Sequence, residues 1–297
     1  IARDGLITNR FKDGIRSLTT VEEPDFKDIV LEDNKAKIVF DDYSMTLVFE
    51  GDSIKMIDSA DDLVGLTMEN NIIKADNEPY SNHIIEYKVH EGNPVLDTTL
   101  LTNKGERNIK FVLEDNQMQV IGYEGEYITD IKAPYVGFEG RERLASSRGY
   151  IWSRTIPMLK ETVFIGHGAD TYALHFPNND YVGKFLGFTS TNTIVDKPHS
   201  MYLQSAVNTG VLSVLAMLVL FGMYIIQSFK AYFFKRDYHD FIDTAGLGIF
   251  MAVMVYLFTG ISNDSLVSVA PVFWTLLGMG FILNRKTIER DKEIKSE

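Results

Sequence analysis

Three long segments without a charged side chain limit what this chain can fold into. The ranges 198–229, 244–263 and 265–284 contain no Lys, Arg, Asp or Glu. A helix rises about 1.5 Å per residue and needs about 20 apolar residues to cross about 30 Å of hydrocarbon. The sequence therefore predicts three membrane-spanning helices within residues 201–297, at about 205–228, 244–263 and 265–284.

The basic residues predict how these helices are oriented. The connection after the first span carries Lys230, Lys235 and Arg236, and the C-terminal tail is also rich in Lys and Arg, whereas the turn 262–265 has neither. Short basic loops stay on the cytoplasmic side of a membrane. We therefore expect a multi-pass protein of a bacterial cell membrane, with residues 1–200 extracytoplasmic and the C-terminus cytoplasmic.

Charge and composition exclude several classes of protein. The net charge is -12, and the acidic excess lies before Ser200, because basic and acidic residues are equal in number after it. Nucleic-acid binding needs basic patches for the phosphates, so nucleic acid is not an expected partner. Cysteine is absent, which excludes disulfides and thiolate zinc sites. Because the chain begins with Ile1, we expect it to be a fragment or a processed product.

The first 200 residues show three patterns. Near-helical apolar spacing followed by acidic residues predicts a juxtamembrane helix and linker over 1–35. Alternating apolar residues, as in 44–49, predict an antiparallel β domain over 36–135. Helical spacing returns in 136–200, which we interpret as a loop that carries the candidate active site. The predicted fold class is an α-helical integral membrane protein with an extracytoplasmic antiparallel β domain and a helical catalytic loop.

Two side chains are candidates for chemistry. Arg148 shares a predicted helix face with Trp152, so it is either a solvated arginine packed on the indole or an anion clamp. His199 follows Pro198 at the predicted start of the first membrane helix, with Asp196 as the predicted N-cap. It is either an interfacial hydrogen-bonding residue or a general base. The other histidines lack metal-ligand spacing, so we expect no metal site and no cofactor.

Three short motifs follow one another in a defined order. Arg148 and Trp152 come first, then the glycine turn 166–168, then His199 before an apolar helix. This order, over roughly 140–225, resembles the O-antigen ligase/polymerase family of bacterial membrane glycosyltransferases. The chain resembles the C-terminal part of such proteins, with a large extracytoplasmic loop. Many members have Asn directly after the histidine, where this chain has serine.

The resemblance implies an inverting, metal-independent transfer of an undecaprenyl diphosphate-linked glycan to an acceptor hydroxyl at the outer face of the membrane. The implied acceptor is a polysaccharide, a lipid or a cell-wall component, and membrane lipid surrounds the spans. In this interpretation His199 is the general base, and Arg148 offsets the charge of the departing diphosphate. The candidate substrate-binding residues are Arg154, Lys184, Lys197 and Tyr202.

Two alternatives stay open at this point. A polymerase of the same family, which joins repeat units, would use the same two catalytic residues. A non-catalytic surface protein would instead bind carbohydrate or protein through its β domain and use the helices as an anchor. That alternative predicts binding by isolated residues 36–135 and no effect of substituting His199.

Overall fold

The described chain forms two compact units. The computed structural model describes residues 26–51, 53–102, 105–188, 190–233, 238 and 240–296. The first unit runs to Pro157 and includes Pro177–Val195, and the second contains Met158–Phe176 and the chain from Asp196 onward. The predicted juxtamembrane helix falls within residues 1–25, which lie outside the described residues.

Two antiparallel sheets form most of the first unit. The first sheet contains, in spatial order, β1 (Phe26–Glu32), β2 (Lys35–Phe40), β3 (Ser44–Glu50), β4 (Ser53–Ile57) and β5 (Leu63–Val64). The second sheet contains β6 (Leu66–Glu69), β7 (Ile72–Ala75), β8 (Ile84–His90), β9 (Asn93–Thr102), β10 (Gly105–Glu114), β11 (Gln117–Ile121) and β12 (Tyr127–Ile128). Within each sheet, every strand pairs with its neighbours in sequence, so both sheets are meanders. Strand β1 lies in the range 1–35 that we predicted as helix and linker.

Alternation of side chains along the strands gives this unit its core. In β2, Ala36, Ile38 and Phe40 are buried, whereas Lys35 and Lys37 are exposed. This is the two-residue period expected of a strand with one face on a core. Inward residues of both sheets belong to one hydrophobic cluster, so the two sheets share a single core.

Short turns set the register of two hairpins. Asn70 and Asn71 join β6 to β7, and Asp115 and Asn116 join β10 to β11; all four have positive φ. Two-residue hairpin turns with positive φ at both positions match the right-handed twist of the flanking strands. Asn and Asp tolerate this conformation better than other non-glycine residues, which explains why they occur here.

The helices follow the sheets in the sequence. They are α1 (Leu144–Met158), α2 (Tyr172–His175), α3 (Tyr181–Gly187), α4 (Met201–Thr209), α5 (Val211–Ser228), α6 (Phe241–Thr259) and α7 (Ala270–Ser296), with a π-helical turn at Phe229–Phe233. A short 3-10 helix at Tyr80–Asn82 lies between β7 and β8. Helix α3 packs on the sheets, because Phe185 stacks on Phe26 of β1 with ring centroids 4.7 Å apart.

The predicted fold class is wrong. The described residues form a mixed α/β protein with twelve strands in two sheets. Among the described residues, two helices and not three are long and apolar enough to cross a membrane, Val211–Phe233 and Phe241–Thr259. The prediction of a third span at 265–284 is wrong because α7 begins only at Ala270 and then continues beyond Asn284 through charged residues.

The first predicted span is also divided. Gly210 has φ of 105° and separates α4 from α5, so the apolar helix starts at Val211 and not near residue 205. In the second unit, α5, α6 and α7 share a core that includes Phe221, Val253 and Phe273. This packing fixes the connection between α6 and α7, which carries one of the site residues described below.

Candidate functional site

Arg148 follows a strained turn at the start of α1. Ala145, Ser146 and Ser147 have φ of 50°, 61° and 69°. Each non-glycine residue in this left-handed conformation costs about 1–2 kcal/mol, and such strain is concentrated at functional sites. The Nη1 of Arg148 donates a 2.6 Å hydrogen bond to the Ala145 carbonyl. Its Nε is buried and has no hydrogen-bond partner among the described residues.

Hydrogen bonds on both sides hold this turn in place. The hydroxyl of Ser147 donates to the carbonyl of Gly187, at the end of α3, over 2.6 Å. The N–H of Tyr150 donates to the carbonyl of Glu142 over 2.8 Å. The position of Arg148 is therefore fixed by α3 and by the loop that precedes α1.

Arg154, one turn and a half further along α1, is buried in an ion pair. Its Nε donates to Asp180 Oδ2 over 2.7 Å, and its side chain is only 5% exposed. The guanidinium lies over the rings of Tyr135 and Tyr150, 4.7 and 4.9 Å from their centroids. Asp180 also caps α3 by accepting from the N–H of Gly183. The pair joins α1 to α3, and substrate binding by Arg154 stays a prediction.

Lys184 is a second buried cation in the first unit. It is 3% exposed, and its Nζ lies 5.8 Å from the centre of the Tyr181 ring. Burial lowers the pKa of Lys184 to about 8, although Asp180 acts in the opposite direction. Among the described residues, no carboxylate lies within salt-bridge distance of this ammonium. A bound anion would offset the cost of burying it, so Lys184 is suited to contact one.

His199 is paired with a carboxylate that the sequence analysis missed. Its Nδ1 lies 3.0 Å from Asp264 Oδ2, with side chains 36% and 12% exposed. A neutral ring in this pair carries its proton on Nδ1, which leaves the lone pair of Nε2 as an acceptor. The predicted cap is not observed: Ser200 is the N-cap of α4, and the carboxylate of Asp196 lies 3.9 Å from Lys197 Nζ.

Backbone hydrogen bonds keep His199 beside the α6–α7 connection. The N–H of Met201 donates to the carbonyls of Gly260 and Asn263, over 2.8 and 2.9 Å. The hydroxyl of Tyr202 donates to the carbonyl of Leu257 over 2.9 Å, and burial raises the pKa of Tyr202. Tyr202 therefore positions α4 in this structure, and substrate binding by Tyr202 or Lys197 stays a prediction.

A cavity of about 290 Å³ lies beside the carboxylate of this pair. Its lining residues are Tyr256, Thr259, Asn263, Asp264, Leu266 and Val269. None of them is cationic, and Asp264 Oδ1 is buried without a hydrogen-bond partner among the described residues. The lining thus favours a neutral group with hydroxyl donors over a phosphate.

The glycine turn of the sequence motif has a structural role. The N–H groups of His167 and Gly168 donate to the carbonyls of Val207 and Asn208, at the end of α4. The His167 and His175 rings stack with centroids 3.7 Å apart. Among the described residues, no group of three or more His, Asp or Glu side chains could hold a metal ion.

The predicted site residues are divided between the two units. Arg148, Arg154 and Lys184 lie in the first unit, and Lys197, His199 and Tyr202 lie in the second. Within these units, Arg154 and Lys184 share Asp180 as a neighbour, and His199 pairs with Asp264. The sequence contains a feature that could have identified Asp264, because it is the only charged residue in 244–284.

Comparison with known proteins gave one match. Residues 107–218 match a family model described as O-antigen ligase. The matched segment contains Arg148 and His199 but ends before Asp264. Neither the curated proteins nor the solved structures compared with the chain gave a match. The family match confirms the predicted resemblance.

Proposed function

We propose that this chain transfers a glycan from undecaprenyl diphosphate to an acceptor hydroxyl, because residues 107–218 match the O-antigen ligase family model. The match supports an O-antigen ligase- or polymerase-like function in general, with lipid-linked glycan and polysaccharide as partners. Two apolar helices support a membrane protein. In the proposal, the basic residues near the helix ends set the orientation of the protein in the membrane, so that the transfer occurs at the outer face.

The pair of His199 and Asp264 is the observation that carries the proposal. The acceptor hydroxyl gives its proton to His199 Nε2 while its oxygen attacks the anomeric carbon of the donor glycan. Asp264 accepts from Nδ1–H over 3.0 Å, so it holds the tautomer in which Nε2 is free. It then stabilises the imidazolium that forms, as the carboxylate of a catalytic triad does.

Arg148 acts at the leaving group. The bond between the anomeric carbon and the diphosphate oxygen breaks, and its electron pair stays on the diphosphate. The guanidinium of Arg148 offsets this developing charge, because it has an unpartnered N–H and a fork suited to phosphate oxygens. Lys184 supplies a second positive charge in the same unit. A single displacement of this kind inverts the anomeric configuration.

The cavity beside Asp264 is suited to the acceptor. Its lining offers a carboxylate and the side chains of Thr259 and Asn263, together with apolar surface from Leu266 and Val269. Hydroxyl groups of a polysaccharide, lipid or cell-wall acceptor can donate to such oxygens. An anionic diphosphate would be repelled by the same carboxylate, so donor and acceptor are expected to occupy different places.

A reconstituted assay tests the role of Arg148. The full chain in lipid vesicles is given a purified undecaprenyl diphosphate-linked glycan, and release of the carrier diphosphate is measured together with the length of the product. We expect Arg148→Ala to lower the rate by about a hundredfold, as for removal of one stabilising donor at a developing charge. Arg141→Ala is the matched control, because Arg141 is an exposed arginine on the preceding loop.

The outcomes separate the proposed reaction from its alternatives. Equal rates for Arg148→Ala and Arg141→Ala, at equal protein levels, would remove Arg148 from the mechanism. No release of carrier by the wild-type chain would contradict the transfer reaction itself. Lengthening of the donor-linked glycan would identify a polymerase, whereas attachment to another acceptor would identify a ligase.

A further inference from the structure

A short apolar segment between α1 and α2 is exposed. It consists of Val163, Phe164 and Ile165, and the side chains of Phe164 and Ile165 are 76% and 80% exposed. Leu174, on α2, is 83% exposed. Single exposed apolar side chains are common on soluble proteins, but consecutive large ones mark a surface that contacts an apolar partner. The position of the backbone indicates what that partner is.

Backbone hydrogen bonds attach this segment to the first turn of α5. The N–H of Val211 donates to the Thr162 carbonyl over 2.9 Å, and the N–H of Leu212 donates to the Val163 carbonyl over 3.1 Å. The first N–H groups of a helix have no acceptor within the helix, so the segment supplies two of the acceptors that α5 lacks. It therefore lies at the level where α5 begins.

The surface of α5 next to this attachment is apolar and exposed. Leu212, Leu215 and Val219 are all exposed, whereas Phe221 and Tyr224 lie in the core of the second unit. The helix Val211–Phe233 is long and apolar enough to cross a membrane, so its exposed surface is suited to contact hydrocarbon. Residues 163–165 add further apolar side chains at the end of this surface, where the span meets the boundary of the membrane.

The charges around the segment are also suited to this boundary. Lys160 and Glu161 directly precede it and are exposed, and the next charged residue is Asp170. A lysine at a membrane boundary lays its stem along apolar surface and keeps its ammonium among the headgroups. Large apolar side chains next to such charges are typical of segments at the lipid–water interface.

We propose that residues 163–165 insert into the lipid–water interface of the membrane that α5 crosses. Leu174 adds to this surface, because α2 is held at the glycine turn by the stacked rings of His167 and His175, with centroids 3.7 Å apart. The insertion requires only that α5 spans a membrane, so it does not rest on the proposed transfer reaction.

The insertion places His199 at the same boundary. Helix α4 has nine residues and is about 14 Å long, which is less than the roughly 30 Å of hydrocarbon. Its first residue, Met201, donates its N–H to the carbonyl of Gly260, at the end of α6, and its last residue precedes Gly210 and α5. The end of α6 and the start of α5 therefore lie at one surface of the membrane. His199, just before α4, lies at that surface, as residues 163–165 do.

Spin labels on single cysteines measure this insertion. The chain has no cysteine of its own, so each variant carries one nitroxide. The full chain is reconstituted in vesicles of phosphatidylethanolamine and phosphatidylglycerol, and the label's collisions with oxygen, which concentrates in hydrocarbon, are compared with its collisions with a water-soluble nickel chelate. We expect labels in Phe164→Cys and Ile165→Cys to lie about 5–10 Å below the lipid phosphates and to collide more often with oxygen than with nickel.

Two control variants define the limits of the scale. Val219→Cys lies on the exposed surface of α5 and should collide with oxygen, whereas Glu161→Cys, three residues before Phe164, should collide with nickel. All these side chains are exposed, so the labels leave the core intact. Leu174→Cys tests the contribution of α2 and replaces Phe164→Cys if that variant fails to fold.

Two results would overturn the inference. Nickel collisions at residues 164 and 165 as frequent as at residue 161 would place the segment in water. Infrequent collisions with both reagents would show that protein, and not lipid, covers it. An oxygen preference at residues 164 and 165 close to that at residue 219 is the result that the insertion predicts.

Discussion

Replacing Asp264 with Asn is the substitution that separates a catalytic pair from an incidental contact. The ring and carboxylate are 3.0 Å apart. At a charge separation of about 4 Å and an effective dielectric constant of about 20, an imidazolium would gain about 4 kcal/mol from the carboxylate. The His199 side chain is 36% exposed, so we discount this to about 2 kcal/mol for solvent screening. That corresponds to a fall of about thirtyfold in kcat.

The assay is glycan transfer by the full chain under saturating donor and acceptor. Asp196→Asn is the control, because Asp196 also lies close to His199 in sequence but is 66% exposed and nearest to Lys197. We expect Asp264→Asn to lower kcat with little change in the KM for the donor, since the carboxylate acts on the protonated ring. A kcat within about twofold of the Asp196→Asn value would refute the role of the pair.

Three further predictions concern the first unit. Asp180→Asn leaves Arg154 buried without its carboxylate, so the free energy of unfolding in urea should fall by about 3 kcal/mol; a loss below about 1 kcal/mol would contradict a structural pair. Burial lowers the pKa of Lys184 to about 8, so wild-type stability should rise between about pH 8 and 10, where the unfolded lysine keeps its proton and the folded one does not. Lys184→Met should remove this rise. If the free energy of unfolding of Lys184→Met rises with pH as steeply as that of the wild type, Lys184 is not its source. Burial raises the pKa of Asp97, but hydrogen bonds from Lys88 and Asn108 outweigh it and leave the pKa lowered. Its stabilising contribution is therefore present above about pH 4 and lost as the pH falls further. Asp97→Asn should flatten the decrease in Tm between about pH 5 and 2.5, and a decrease as steep as in the wild type would contradict the assignment.

The strands could be located from the sequence because alternation is a local property. Strand β3 and strand β4 lie where the apolar residues alternate, and their turn contains Gly51. The prediction of a third span was wrong because the absence of charged residues does not show where a helix begins. Pro271 lies at the start of α7, and proline is favoured in the first turn of a helix. It was the available sign that 265–284 is not one continuous helix.

The site residues differ in how much local sequence reveals of them. Arg148 and His199 lie in short motifs, so the family resemblance found them directly. Asp264 lies 65 residues from its partner, and only folding of α6 and α7 brings it to His199. Arg148 and Arg154 both lie on α1, but Arg154 is paired with the carboxylate of Asp180 and Arg148 has no such partner among the described residues. Contacts at long sequence separation decide which arginine is free for a ligand.

Transfer by a His199→Gln variant tests the central claim most directly. Glutamine keeps a polar side chain of similar reach but cannot act as a base at neutral pH. With purified undecaprenyl diphosphate-linked glycan and the full chain in vesicles, we expect the rate of glycan transfer to fall by about a hundredfold or more, at unchanged protein level and donor binding. Transfer at a rate near that of the wild type would contradict general-base catalysis by His199 and, with it, the account of this site.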